Sequence, residues 1–131
     1  MSEKFEMVKR YLLDLDLKIV KEDAKEEMVV AEDPDNGIQN LVIDCEDPIL
    51  ILEQLIMPVP KQPGDLYKRL LQMNRNMVHG AFVLDEQGKY VIFRDTLQLE
   101  NLDQNELEAS VQALSLALAE NSIELLKYAK Q

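Results

Sequence analysis

The stretch Gly80-Ala-Phe-Val-Leu-Asp-Glu-Gln-Gly-Lys-Tyr-Val-Ile-Phe-Arg-Asp95 decides the class of fold. Gly80 to Leu84 and Lys89 to Asp95 are β-rich runs. Between them, Asp85-Glu-Gln-Gly88 supplies a glycine where a hairpin turn needs a left-handed backbone. So short a link joins antiparallel neighbours. Just downstream, Asp103 stands where an N-cap belongs, Glu106 can close a capping box, and Leu102 with Leu107 makes a hydrophobic staple. A long helix is therefore expected from residue 103 to Tyr128 or nearly so. Leu107, Val111, Leu114 and Leu118 form its apolar stripe, and Ala109, Ala113 and Ala117 a flatter second face.

Upstream, Ile38 to Cys45 alternates Leu41, Ile43 and Cys45 against Asn40, Val42 and Asp44, as a strand with one buried face does. Ile49 to Met57 carries two signals. Asp47-Pro48 could be the cap and first residue of a helix, while the Ile and Leu density and the Pro58-Val-Pro60 stop suit a buried strand, which is the reading taken. On a strand, Ile49, Ile51, Leu55 and Met57 would share one face and Leu50, Leu52 and Ile56 the other, so both faces want cover. Toward the N-terminus, Met28-Val-Val-Ala31 and the run from Leu17 flank a charged Glu22 to Glu27 turn, and Asp33-Pro-Asp-Asn-Gly37 marks a further turn. Phe5, Val8, Leu12 and Leu15 recur at helical spacing, which predicts an amphipathic helix over about residues 3 to 14. Pro63-Gly-Asp65 opens another helix, with Leu66, Leu70, Met73 and Met77 on one stripe and an end near Met77.

The order α-β-β-β-β-α-β-β-α with hairpin-length links predicts an α+β domain over residues 1–131: an antiparallel sheet of about six strands with helices packed on it. Helices this few leave one sheet face in need of a partner or a second copy. The Leu66, Leu70, Met73 and Met77 stripe can bury in the domain's own core or against a mate, and a homodimer interface there is expected. For partner binding the candidates are Ile49, Ile51, Leu55 and Met57, against which an extended apolar segment would lie.

Composition narrows the chemistry. Of 131 residues, 47% are hydrophobic and 30% charged, enough apolar material for a packed core. Twenty-five Asp and Glu against fourteen Lys and Arg give a net charge of -11, which opposes nucleic acid and anionic lipid surfaces. The apolar runs from Pro48 to Leu52 and from Leu55 to Pro60 are far short of the roughly 18 to 20 residues that span a bilayer. The N-terminal residues mix charge with apolar side chains and show no signal-type apolar core, so a cytoplasmic location is expected. A single Cys and a single His give no disulfide framework and no Cys/His metal set. Asp33 to Gly37 begins like a calcium loop, but Gly falls at its fifth position and Ile38 at the sixth, so a turn is the better reading. Asp14 and Asp16 mark a helix end. Cys45 reads as a small buried residue and His79 as a cation at a helix C-terminus. No catalytic residue, metal or cofactor is expected.

Leu70-Leu-Gln-Met-Asn74, Gly80 opening a hairpin with Asp85-Glu-Gln-Gly88 at its tip, Tyr90-Val-Ile-Phe93, and Leu97-x-Leu99-x-Asn-Leu-Asp103 before a long helix together resemble the YbjN family. The same run is similar to the wider fold of type III secretion chaperones of the CesT kind. The resemblance spans roughly residues 38 to 129. It implies a sheet-and-helix domain, commonly dimeric, that holds an extended client along apolar patches. A non-enzymatic, chaperone-like protein-binding module is therefore expected, the alternative being a regulator of signalling or transcription acting through one specific folded partner.

Overall fold

The computed structural model describes residues 2–130, so the two ends of the expected domain lie outside the described residues. Ser2 accepts a hydrogen bond from the Phe5 N–H and caps α1, Glu3–Asp14, which buries Phe5, Val8 and Leu12. There follow β1, Lys18–Asp23; β2, Met28–Asp33; a single 3-10 turn, Pro34–Asn36; β3, Ile38–Glu46; and β4, Ile49–Pro58. Next come α2, Leu66–Asn74; β5, Ala81–Leu84; β6, Tyr90–Gln98; and α3, Gln104–Ala129. The six strands form one antiparallel sheet in the order β1-β2-β3-β4-β6-β5. Both capping-box bonds between Asp103 and Glu106 are present, and α3 starts where the sequence places it.

Alternation puts Val29, Ala31, Leu41, Ile43, Leu50, Leu52, Phe82, Val91 and Phe93 on one side of the sheet, and all are buried. Buried residues of the three helices join them in one cluster, so the helices cover this inner face. No residue of the opposite face is buried. Two bulges adjust the fit. In β3 the inward residues Ile38 and Leu41 are three apart, with Asn40 at φ 54 taking up the odd residue. In β4, Leu55 pairs with Ile92 and Met57 with Val91, which leaves Ile56 as the extra residue.

The second bulge corrects one expectation. Beyond it the parity of β4 inverts, and Met57 points inward, 4% exposed, so it cannot share a face with Ile49, Ile51 and Leu55. The α2 stripe is corrected too: Leu66, Leu70 and Met73 are 0%, 4% and 4% exposed within a single chain and have no surface to offer a mate. Met77, partly buried, lies beyond the end of α2 and packs on the same core. A stripe at helical spacing is satisfied equally by its own sheet or by a second copy, and here its own sheet takes it.

α2 ends at Asn74, short of Met77, because the Asn74 amide turns to β5. It donates to the Phe82 carbonyl at 3.0 Å and accepts from the Phe82 N–H at 2.8 Å, standing in for a neighbouring strand at the sheet edge. Gly80 leads into β5 at φ 73, and an added Cβ would collide with the Phe93 ring. Gly88, at φ 70 in the hairpin tip, has open space around it. Gly88→Ala is thus expected to cost about 1 kcal/mol from backbone strain alone, and Gly80→Ala about 1–3 kcal/mol more from overpacking against Phe93. Urea unfolding of the two variants measures the difference.

Candidate functional site

The uncovered sheet face is built from the residues that alternate with the core. Register places Ile49 beside Glu46 and Gln98, Ile51 between Asp44 and Thr96, and Leu55 beside Ile92, which in turn meets Val83. Leu55 is 57% exposed, and Ile49 and Ile51 are half-buried. Val30 and Val42 extend the apolar area toward β2. Between Ile51 and Leu55, Glu53 accepts a 2.8 Å hydrogen bond from Arg94 Nη1, a charged bar between the aliphatic side chains of β4. Three of the four partner-binding candidates, Ile49, Ile51 and Leu55, therefore lie on one open face. Ile92 and Val83 complete it and were missed in the sequence, where their distance from β4 hides the pairing.

Backbone for strand addition is scarce on this face. From Ile49 to Glu53, β4 is paired with β3 on one side and β6 on the other. Beyond Glu53 the Gln54 side chain replaces the ladder toward β3. Only 5% exposed, it donates to the Gly37 carbonyl at 3.0 Å and accepts from the Gln39 N–H at 3.1 Å. Any segment docking on β4 must therefore be held by side chains across the face, since the backbone there is not free for strand addition.

Asp44, next to Ile51, is the most perturbed carboxyl. Its pKa is pushed up to about 6, first by burial, then by Glu46, with Glu26 and Glu53 adding to the effect. Asp44 Oδ1 is buried without a hydrogen-bond partner among the described residues. The neighbouring Cys45 thiol is pushed up to about 12 by burial and by Glu27, Asp44 and Glu46, so it stays protonated at neutral pH and is a poor nucleophile. Asp33 to Gly37 forms a turn closed by Asn36 Nδ2 donating to Asp33 Oδ2 at 2.7 Å, with Gly37 left-handed. Among the described residues no group of His, Cys, Asp and Glu is arranged to hold a metal ion, and no helix is long and apolar enough to cross a membrane.

A family model described as CesT_Tir_1 matches residues 1–131. Among solved structures, YbjN from E. coli superposes with a TM-score of 0.69 at 15% identity, over 92% of each chain. A chain of the HopA1-SchA chaperone-effector complex gives 0.60 at 19% identity, covering 87% of this chain and 89% of that one. The structure of the Yersinia pestis type III secretion chaperone SycH with a stable fragment of YscM2 gives 0.58 at 11%, covering 88% and 98%. No curated protein sequence matches the chain.

The Asp44 environment makes stability depend on pH. A carboxyl whose folded pKa is raised binds its proton more tightly in the fold than in the unfolded chain, so stability falls as pH climbs from about 4 through 6. Asp44→Asn is expected to remove that slope. At pH 7 it should gain about 1 kcal/mol, a figure reduced for solvent screening at a partly exposed side chain, and at pH 4 almost nothing. Thermal melts of both proteins at the two pH values check this.

Proposed function

The chain belongs to the CesT_Tir_1 family, and from that premise we propose that it is a non-enzymatic, chaperone-like module whose open sheet face receives an apolar segment of a partner protein. The observation that carries the proposal is the one-sided cover of the sheet. Helices hide the inner face, while Ile49, Ile51, Leu55 and Ile92 remain at the surface in one band. Aliphatic side chains left at the surface among polar ones are a common feature of protein-binding surfaces. The fold shared with chains solved in complex with protein partners supports the same reading. The net charge of -11 keeps such a surface soluble and favours neutral or basic segments over acidic ones. Docking would be tolerant of sequence, since side-chain contacts on a flat aliphatic face specify shape only loosely, and the Glu53–Arg94 bar would favour a segment with a polar group at its middle. The proposed place of action is the cytoplasm.

The test is to hold an unfolding client at several-fold excess of the chain and follow its aggregation by light scattering. Wild type should slow it. Leu55→Glu, at an exposed position, should keep its circular dichroism and lose most of the effect, and Ile51→Glu, which adds a carboxylate beside Asp44, should behave alike. Failure of the wild type to slow any client would defeat the proposal. A single stoichiometric folded partner, retained from lysate by Leu55→Glu as well as by wild type, would favour the regulator instead.

A further inference from the structure

Asp44 lies inside the open sheet face. Register sets it between Met28 of β2 and Ile51 of β4, so a segment laid over Ile51 also lies over Asp44. The residue is partly exposed, yet its Oδ1 is buried with no hydrogen-bond partner among the described residues. The charged groups that face it are Glu46 on its own strand, Glu26 in the turn between β1 and β2, and Glu53 on β4. Arg94 of β6 is bonded to Glu53. Lys21 and Asp23 of β1 stand a strand further out, in register with Val30 and Met28, and Asp23 accepts from the Glu26 N–H.

We infer that docking of an uncharged segment over Ile51 draws one proton from solvent onto Asp44, which makes Asp44 the residue that selects between neutral and basic segments. An ionised carboxylate is stabilised by water, and an apolar occupant removes the water still in contact with it. The chain offers Oδ1 no donor in exchange. Repulsion from Glu26, Glu46 and Glu53 also strengthens as water leaves. Uptake of a proton forms one O–H bond on the carboxyl and removes the charge. The cost of uptake is modest near neutral pH, because burial and these neighbours already hold the Asp44 pKa at about 6 before anything docks. A segment with a lysine opposite Asp44 reverses the preference: its ammonium pairs with the ionised carboxylate, and no proton is taken up. For the uncharged segment, affinity is greatest below the pKa of the free face and falls as pH rises through it, until the higher pKa of the occupied face is passed.

This coupling presupposes docking on the proposed face, and the test separates the two. The probe is a peptide of Leu, Ser and Gly with one Trp, blocked at both ends so that it carries no titratable group. The chain has no Trp, so Trp emission reports the peptide alone. Titrations from about pH 5 to 8 should show affinity falling about tenfold, the equivalent of an Asp44 pKa raised by about one unit on docking. Asp44→Asn, checked by circular dichroism, should bind equally well across that range, and Glu46→Gln should move the fall to lower pH. The same peptide with one Ser replaced by Lys should lose the preference for acid. Wild-type binding that is flat with pH, or that strengthens as pH rises, would overturn the coupling and leave the docking face in place. So would a fall that persists in Asp44→Asn, or a lysine peptide that keeps the preference for acid. Absence of binding by the neutral peptide at every pH would defeat the docking face itself, and the coupling with it.

Discussion

Cover on one face only is the constraint from which the other features follow. A six-stranded antiparallel sheet has two faces, and the buried residues of α1, α2 and α3 all join the cluster on one of them. Burial of Leu41, Ile43, Leu50, Leu52 and Phe93 at 0–1% exposure concentrates the hydrophobic stabilisation there, at about 25 cal/mol for each Å² of apolar area removed from water. The inner face must accordingly be closed at every point, and its irregularities are where strand geometry bends to that need. Bulges in β3 and β4 return Ile38 and Met57 to the core after the alternation has drifted out of step. Gln54 then bonds the backbone of Gly37 and Gln39, which the β3 bulge leaves beyond the ladder.

Polar groups drawn into this layer are paired. Ser110, with no exposed area, donates to Asp95 Oδ2 at 2.7 Å and so allows a carboxylate on the inner face of β6. Asn74 satisfies the edge of β5. Arg69 holds Glu124 through two hydrogen bonds, of 2.6 and 2.8 Å, tying α2 to the C-terminal half of α3 and lowering the Glu124 pKa. Such bonds add little net stability where they are exposed, but they fix the angle at which helices lie on the sheet.

Element types and their order were legible because each was signalled locally: Asp85 to Gly88 for the last hairpin, Asp103 and Glu106 for α3, period-two alternation for β3. What escaped the sequence was non-local. Leu55-Ile56-Met57 is apolar at every position, so nothing in it marks where parity inverts, and the bulge is set by pairing with a strand more than thirty residues away. Asp95 interrupts an apolar run and read as a strand end, yet β6 continues to Gln98 because Ser110, on another element, accommodates the carboxylate. The α2 stripe was found correctly and its destination was not, since periodicity gives the apolar side of a helix without saying what lies against it. Of the proposed docking face, the β4 members were visible as alternating aliphatics, whereas Ile92 and Val83 join them only through register.

The open sheet face and the exposed stripe of α3 differ in charge. A second copy laid sheet to sheet would bring Asp44, Glu46 and Glu53 near their own equivalents, in a region where burial, with the neighbouring carboxylates adding to it, already raises the Asp44 pKa to about 6. Desolvating such a set against itself costs more than the few aliphatic contacts return, because like charges interact most strongly where water is excluded. The carboxylates of the sheet face therefore oppose its own copy as cover. The exposed stripe of α3 has Leu116, Ala119, Ile123 and Leu126 at its centre, with charge confined to its flanks and its end. In a chain of net charge -11, an uncharged centre is where repulsion opposes any contact least.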